Sequence, residues 1–389
     1  MNEQTDTPDV GAISRTEDDR MALRLFQPRW LIAAALSLLP LAAAPAQVAT
    51  QSPAIVPGAK PVTIERIKVH SAAIEGNLEG NSPDRDVIVV LPPGYAAETA
   101  RHYPVVYALH GYSIGADQWT KEIHVPSSVE GAFARGVPPM ILVFPDSRTM
   151  HNGSMYSASQ TVGDFERFIS HDLIAAIDAR YRTIPRRESR GLVGHSMGGY
   201  GTARIGMKHA DMYGAIYMMS PCCLSPGMMA RAEGTDETLL TGLSSPRESE
   251  KLNWGQRAML AASAAWSPDP KNPPLYLDLP VKDGKLREDV MAKWTANTPL
   301  AFADQYVTPL RSYRAIALDV GSQDGLKTDA QALHAMLDRY GIAHRFTIYD
   351  GDHVNRIGVR FQEQVLPFFG QALVASASAK PAAKPAARK

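Results

Sequence analysis

The stretch GLVGHSMGGY, residues 191–200, decides how the rest of the chain is read. A glycine-fenced serine follows an apolar, strand-like run and precedes MGGYGTARIGMKHA (197–210), which has a helical composition. Glycine clusters also mark ordinary turns. Here Gly194-His195-Ser196-Met197-Gly198 spells G-x-S-x-G, the sharp strand-to-helix corner that lifts a serine hydroxyl above a sheet. Side chains at 194 and 198 would collide with the strand and helix that meet there, so glycines occupy both positions. Met197 opens the helix, its N–H aimed where an oxyanion would develop.

A serine hydroxyl is a poor nucleophile at neutral pH and needs a base, which in turn needs a carboxylate to orient it. In folds built around this corner the chain order is serine, acid, histidine, so the partners lie beyond 196. His209 falls in the helix after the corner, His334 on an expected helix and His344 at the start of a strand. His353, in YDGDHVNRI (349–357), follows the last expected strand on a glycine-containing loop and is the expected base. ALDVGSQDGL (317–326) offers two acids. Asp319 falls in or at the end of a buried strand and reads as a structural hydrogen-bonding partner. Asp324 lies beyond Gly321 on a loop able to reach His353, and is the expected acid. Asp350 and Asp352 are too near His353 in sequence to orient its ring and read as turn residues. The second oxyanion donor is expected in YALHGY (107–112), where Gly111 lets the backbone turn and Tyr112 supplies the N–H. His110 reads as a loop histidine without catalytic duty.

Apolar runs long enough for strands buried on both faces occur at 86–93, 103–111, 139–146, 190–194, 214–220, 314–321 and 345–351. Amphipathic stretches lie between them, among them 162–181 with Phe165, Phe168, Ile169, Leu173 and Ile177 at helical spacing, and one capped by Thr328 that runs to Tyr340. Alternating strand and helix predicts an α/β fold, a mostly parallel sheet with helices on both faces.

The 389 residues carry 40 basic and 40 acidic side chains, a balance that points away from a nucleic-acid partner. MALRLFQPRWLIAAALSLLPLAAAPAQ (21–47) has Arg24 and Arg29 ahead of an apolar run that ends in Ala44-Pro45-Ala46, the layout of a cleaved signal peptide. Residues 1–46 are therefore set apart as a dubious extension plus signal, with the mature chain beginning near Gln47 in a periplasmic or secreted location and no stable membrane span. ASASAKPAAKPAARK (375–389) reads as a disordered basic tail. One domain is expected over 61–374. The two cysteines, Cys222 and Cys223, are adjacent, so spaced disulfides do not hold the fold, and a strained vicinal bridge is disfavoured. No zinc spacing, phosphate loop or dinucleotide fingerprint stands out, so cofactor-free chemistry without a metal is expected.

With these residues in place, the chain resembles the esterase D-like branch of the α/β-hydrolases, which includes feruloyl and acetylxylan esterases, enterochelin esterases, S-formylglutathione hydrolases and the mycolyltransferase antigens. The resemblance rests on VVLPPGY (89–95), YPVVYALHGY (103–112), GSMYSAS (153–159), GLVGHSMGGYGTARIG (191–206), DVGSQDGL (319–326) and GDHVNRI (351–357), and spans about 87–369. It implies an α/β-hydrolase fold, a Ser196–His353–Asp324 triad, oxyanion donors at Tyr112 and Met197, and a small-molecule or glycan-linked ester as substrate. GSMYSAS resembles the segment lining the acyl side of the cleft, which offers Tyr156 as a substrate contact. Many relatives follow the catalytic histidine with a tryptophan-containing run, whereas this chain has HVNRI, so that aromatic wall is missing.

Residues 224–311 form a long insertion between two expected strands and are read as a cap over the serine, with Trp266 and Tyr276 as candidate cleft residues for which core packing is the simpler role. The reading is an exported serine esterase working through an acyl-enzyme. Acyl transfer by the same triad, peptidase activity and a non-catalytic binding protein on the same scaffold are the alternatives.

Overall fold

The structure, a computed structural model, describes residues 50–226 and 237–375. The signal segment and all but the first residue of the basic tail lie outside the described residues. Eight strands form the central sheet: β1 (Thr63–His70), β2 (Asp84–Leu91), β3 (Val105–Leu109), β4 (Ile141–Pro145), β5 (Arg190–His195), β6 (Ala215–Met219), β7 (Ala315–Gly321) and β8 (Arg345–Tyr349). Their spatial order is β1-β2-β4-β3-β5-β6-β7-β8. β2 runs antiparallel to β1 and β4, and every other pairing is parallel.

Five of the six parallel strands, β3 to β7, are buried runs as expected from sequence, while the edge strand β8 is only partly covered, and the reason is visible in side-chain alternation. Leu192 of β5 joins the hydrophobic cluster on one face and Val193 the cluster on the other. Both residues are fully buried, so neither face of that strand can be polar. β1 was not anticipated. TIERIKVH alternates exposed and buried positions at the sheet edge, and its charged residues hide it from a search for continuous apolar runs.

Six helices matter here: α1 (Leu173–Arg180), α2 (Met197–Lys208), α3 (Trp254–Trp266), α4 (Glu288–Ala296), α5 (Lys327–Arg339) and α6 (Leu366–Ala372). The amphipathic stretch at 162–181 is helical only from Phe165, with a wide turn at Phe168–Asp172 before α1. Thr328 does not cap α5 but lies within it. The cap position is Leu326, whose N–H donates to the Asp324 carboxylate at 2.9 Å. Ordered chain also starts earlier than expected: Thr50 donates its hydroxyl to the Glu122 carbonyl at 2.8 Å, and the Gln51 N–H reaches the Asn355 carbonyl at 2.7 Å. Among the described residues no helix is long and apolar enough to cross a membrane.

The insertion is part of the core. Leu260, Ala264 and Trp266 of α3, Trp294 of α4, Phe302 and Leu310 belong to the same buried cluster as Leu192 and Tyr200. Its removal would uncover that cluster, so the insertion cannot be excised as an independent decoration.

Candidate active site

Because β3, β5, β7 and β8 are parallel, the loops after them leave the same edge of the sheet. The expected site residues sit on these loops, where open α/β sheets carry their chemistry. Ser196 joins β5 to α2 with φ 57° and ψ −114°, a left-handed backbone that a residue with a Cβ adopts only when its surroundings impose it. What imposes it is close packing. A Cβ on Gly198 would strike the Leu109 carbonyl of β3, and one on Gly194 would strike the Gly198 carbonyl. The corner is pinned by the Ser196 N–H on the Met219 carbonyl at 3.0 Å and by the Cys222 N–H on the Ser196 carbonyl at 3.1 Å. Cys222 and Cys223 are both buried and are not joined to each other by a disulfide.

His353 and Asp324 meet: the ring Nδ1 lies 2.8 Å from the carboxylate Oδ2. The His353 side chain is 34% exposed and that of Asp324 only 2%, so the ring stands between a buried carboxylate and solvent. Burial alone would push the Asp324 carboxyl up. The His353 hydrogen bond, the charge of His353 and the Leu326 N–H outweigh it and hold the group below its ordinary value. With Nδ1 committed to Asp324, Nε2 is the ring nitrogen left for chemistry. Asp319 plays the structural part expected of it. Fully buried, it takes the Tyr217 hydroxyl and the Arg360 Nε–H, each at 2.7 Å.

His195, the residue before the serine, ties two loops together. Burial, aided by the nearby His353, drives its pKa down to about 3, so it is neutral. Its Nε2 donates to the His353 carbonyl at 2.7 Å, and its ring lies between Trp119 at 5.8 Å and the His353 ring at 4.6 Å. No sequence signal marks this role, because any residue is allowed at that position of G-x-S-x-G.

The other side of the corner is the loop after β3. A Cβ on Gly111 would sit 3.5 Å from the Ser196 Cβ, which places this backbone beside the serine. His110 is fully buried and fixed in one tautomer. Its Nε2 accepts the Ser147 N–H at 2.8 Å, so Nδ1 carries the proton and donates to the Gly111 carbonyl at 2.8 Å. Pinning that carbonyl also sets the direction of the Tyr112 N–H, since the two point opposite ways across a trans peptide. The Tyr112 hydroxyl donates to the His151 carbonyl at 2.9 Å.

Tyr156 and Trp266, offered as substrate contacts, are both buried and packed against neighbours. Tyr156 is fully buried, its ring faces Gly201 of α2, and its hydroxyl donates to the His110 carbonyl at 2.9 Å. Trp266 is 5% exposed, packs between a tilted Tyr200 and an edge-on Trp294, and donates its indole N–H to Ser157 at 3.2 Å. Tyr276 lends its carbonyl to Thr161 at 2.5 Å. The aromatic that the insertion does present is Trp254, at the start of α3. It is 63% exposed, and its N-terminal neighbour Asn253 forms a capping box with Gln256. The indole meets the Tyr112 ring edge-on at 5.2 Å and donates to the Ser113 hydroxyl at 3.3 Å.

Behind this loop Glu79 and His151 are both fully buried, 3.2 Å apart. Burial raises the Glu79 carboxyl to about 7 and lowers His151 to about 3. A carboxyl with a raised native pKa adds stability that is complete below its unfolded value and is lost as pH rises through the native one. His151 acts oppositely: its stability is present above its ordinary value and fades on acidification. Comparing wild type with Glu79→Gln isolates the carboxyl. The variant is expected to gain on wild type between pH 4.5 and pH 8, by up to about 3 kcal/mol, in denaturant titrations. Equal pH profiles would show that Glu79 titrates normally.

A serine on a strained strand-to-helix corner, with a histidine bonded to a buried aspartate on a loop at the same edge of an eight-stranded sheet, defines an α/β-hydrolase. The family model described as "Putative esterase" matches residues 81–367, and the chain belongs to that esterase family. An endo-1,4-beta-xylanase/feruloyl esterase of Xylanibacter ruminicola is 25% identical over 178 residues, 45% of this chain and 24% of that protein. An esterase of Mycobacterium tuberculosis is 33% identical over 128 residues, 32% of this chain and 26% of its own length. The chain thus spans about a quarter of the curated relatives it matches. Among solved structures, a ferulic acid esterase superposes with a TM-score of 0.58 at 20% identity, covering 80% of this chain and 98% of that one. The fluorophosphonate-binding serine hydrolase F of Staphylococcus aureus gives 0.54 at 16% identity, covering 80% and 99%. At such identities these likenesses speak for the fold.

Proposed function

We propose that the chain hydrolyses a carboxylic ester through an acyl-enzyme on Ser196. The observation that carries this reading is the His353–Asp324 hydrogen bond at the same sheet edge as the strained serine corner. In this mechanism His353 Nε2 takes the Ser196 proton as Oγ attacks the ester carbonyl. Asp324 holds the ring in the correct tautomer and stabilises the imidazolium, and the N–H groups of Tyr112 and Met197 receive the oxyanion. The proton then passes to the departing alcohol, and water repeats the sequence to release the acid.

Trp254 supports a flat or aromatic group on one side of the ester, restoring from the insertion the wall that HVNRI lacks. An apolar ring face exposed and held by a capped helix and a hydrogen bond is preorganised for stacking. The test is a panel of acetyl, aromatic-acyl and amide substrates with Trp254→Ala beside the wild type. Esters should be cleaved and amides spared. The variant should lose about tenfold in kcat/KM on aromatic esters, the worth of one aromatic contact, and little on acetyl esters. A uniform loss would assign Trp254 to loop support alone, and amide cleavage would replace the esterase reading. Added acceptor alcohols in the same panel separate hydrolysis from acyl transfer.

Export is part of the proposal, on the layout of residues 21–46. Protein from the exported fraction should begin near Gln47 on N-terminal sequencing. Recovery only from cytosol with those residues intact would remove it.

A further inference from the structure

We propose that His334, Asp338 and His344 form a binding site for a divalent transition-metal ion of the zinc class, separate from the esterase centre. The sequence contains no zinc spacing of the usual kind, yet the fold brings one ligand atom from each of these residues within 4.8 Å of the others. His334 and Asp338 are four residues apart on α5 and so share one face of the helix. α5 ends in a turn through Gly341, whose φ of 60° reverses the chain, and His344 then returns to that face just ahead of β8.

Hydrogen bonds fix which ring nitrogens carry protons. His344 Nδ1 lies 2.8 Å from the Ile342 carbonyl and must donate to it, which leaves Nε2 with a bare lone pair. A backbone carbonyl that fixes the far nitrogen in this way is the usual outer support of a ligating imidazole. That lone pair accepts the His334 Nδ1–H at 2.8 Å, a bond that an ion would replace, and His334 Nε2 is left without a proton 3.5 Å from Asp338 Oδ2. Asp338 Oδ1 lies 4.0 Å from His344 Nε2. A tetrahedral zinc ion with ligands about 2.0–2.1 Å away holds them about 3.3 Å apart, so the His334–Asp338 separation of 3.5 Å fits and the Asp338–His344 separation of 4.0 Å must close slightly. The adjustment falls on the more exposed members: the His344 side chain is 3% exposed and acts as anchor, whereas those of His334 and Asp338 are 35% and 63% exposed.

Charge and packing favour the same conclusion. The cations nearest in sequence are engaged elsewhere, Arg339 on Asp304 and the Tyr340 ring, Arg345 over Phe368. Asp338 therefore keeps its negative charge available for the ion. The His334 ring is held flat against Phe346 of β8 at 4.5 Å. Two imidazoles and a carboxylate form a borderline N/O set suited to zinc, nickel or copper, with water completing the shell. The ion would staple the end of α5 to the start of β8. Since β8 spans five residues, about 17 Å of strand separates this staple from the loop of His353, and its effect is on stability.

The experiment titrates the purified full chain, first stripped with chelator, with zinc chloride by calorimetry, and follows thermal unfolding with and without the ion. One equivalent should bind, and excess zinc should raise the Tm by a few degrees. His334→Ala and Asp338→Asn should each weaken binding at least tenfold, while fluorophosphonate labelling of Ser196 is unchanged. His334→Gln serves where alanine disturbs the Phe346 contact. Absence of stoichiometric binding would overturn the proposal. So would affinity and Tm shift that persist in a His334→Gln/Asp338→Asn double variant, since the ion would then sit elsewhere.

Discussion

Ser196→Ala is expected to abolish covalent labelling by a fluorophosphonate and to lower kcat by about 10⁶, leaving the 10³ to 10⁴ over water that an oxyanion hole and substrate binding supply. Folding should survive, because the serine hydroxyl carries no part of the packing at the corner. The strained backbone is held instead by the N–H of Ser196 on Met219, the carbonyl of Ser196 under Cys222, and the contacts of Gly194 and Gly198. Alanine tolerates the same left-handed φ at a similar cost. The serine and His353 act as a unit, so Ser196→Ala/His353→Ala should be scarcely slower than either single variant. Near-normal turnover by Ser196→Ala would end the acyl-enzyme mechanism.

The parts of this molecule that were legible in sequence are those where one physical demand leaves few residue choices. A strand buried on both faces must be continuously apolar, so the five parallel strands β3 to β7 could be read directly. The serine corner demands glycine at two fixed positions, and both stand there. Asp324 and His353 could be chosen because loop position relative to a strand end follows from where the apolar runs stop. Edge strand β1 was missed because half-exposed strands mix charge with hydrophobicity. Tyr156 and Trp266 stayed open between two roles because an aromatic near a site fits a cleft wall and a core equally well in sequence; only packing separates them. Trp254 and His195 act through contacts with Ser113, Tyr112 and the His353 carbonyl, residues 141, 142 and 158 positions away, and no local pattern encodes such pairings. The His334–Asp338–His344 cluster depends likewise on a chain reversal at Gly341.

Asp324→Asn and Asp319→Asn should fail in different ways, and the difference tests the choice between two aspartates five residues apart. Asp324 Oδ2 faces His353 Nδ1 at 2.8 Å, while Oδ1 takes the Leu326 N–H at 2.9 Å. An asparagine of the same shape keeps the Leu326 bond through its carbonyl oxygen and turns its amide N–H₂ toward the ring. The ring must then present a bare Nδ1 and protonate Nε2, the nitrogen that should accept the serine proton. Loss of up to about 10⁴ in kcat follows, with a modest change in KM and in Tm. Asp319 touches none of the reacting groups. Its carboxylate is buried against Arg360 and the Tyr217 hydroxyl, so neutralising it leaves a guanidinium without its countercharge in the core. The expected cost is about 3 kcal/mol of stability, with kcat nearly intact below the unfolding transition. Measuring kcat and Tm for both variants decides the matter: a larger kcat loss in Asp319→Asn would transfer the role of acid to Asp319 and make the Asp324–His353 bond a loop contact.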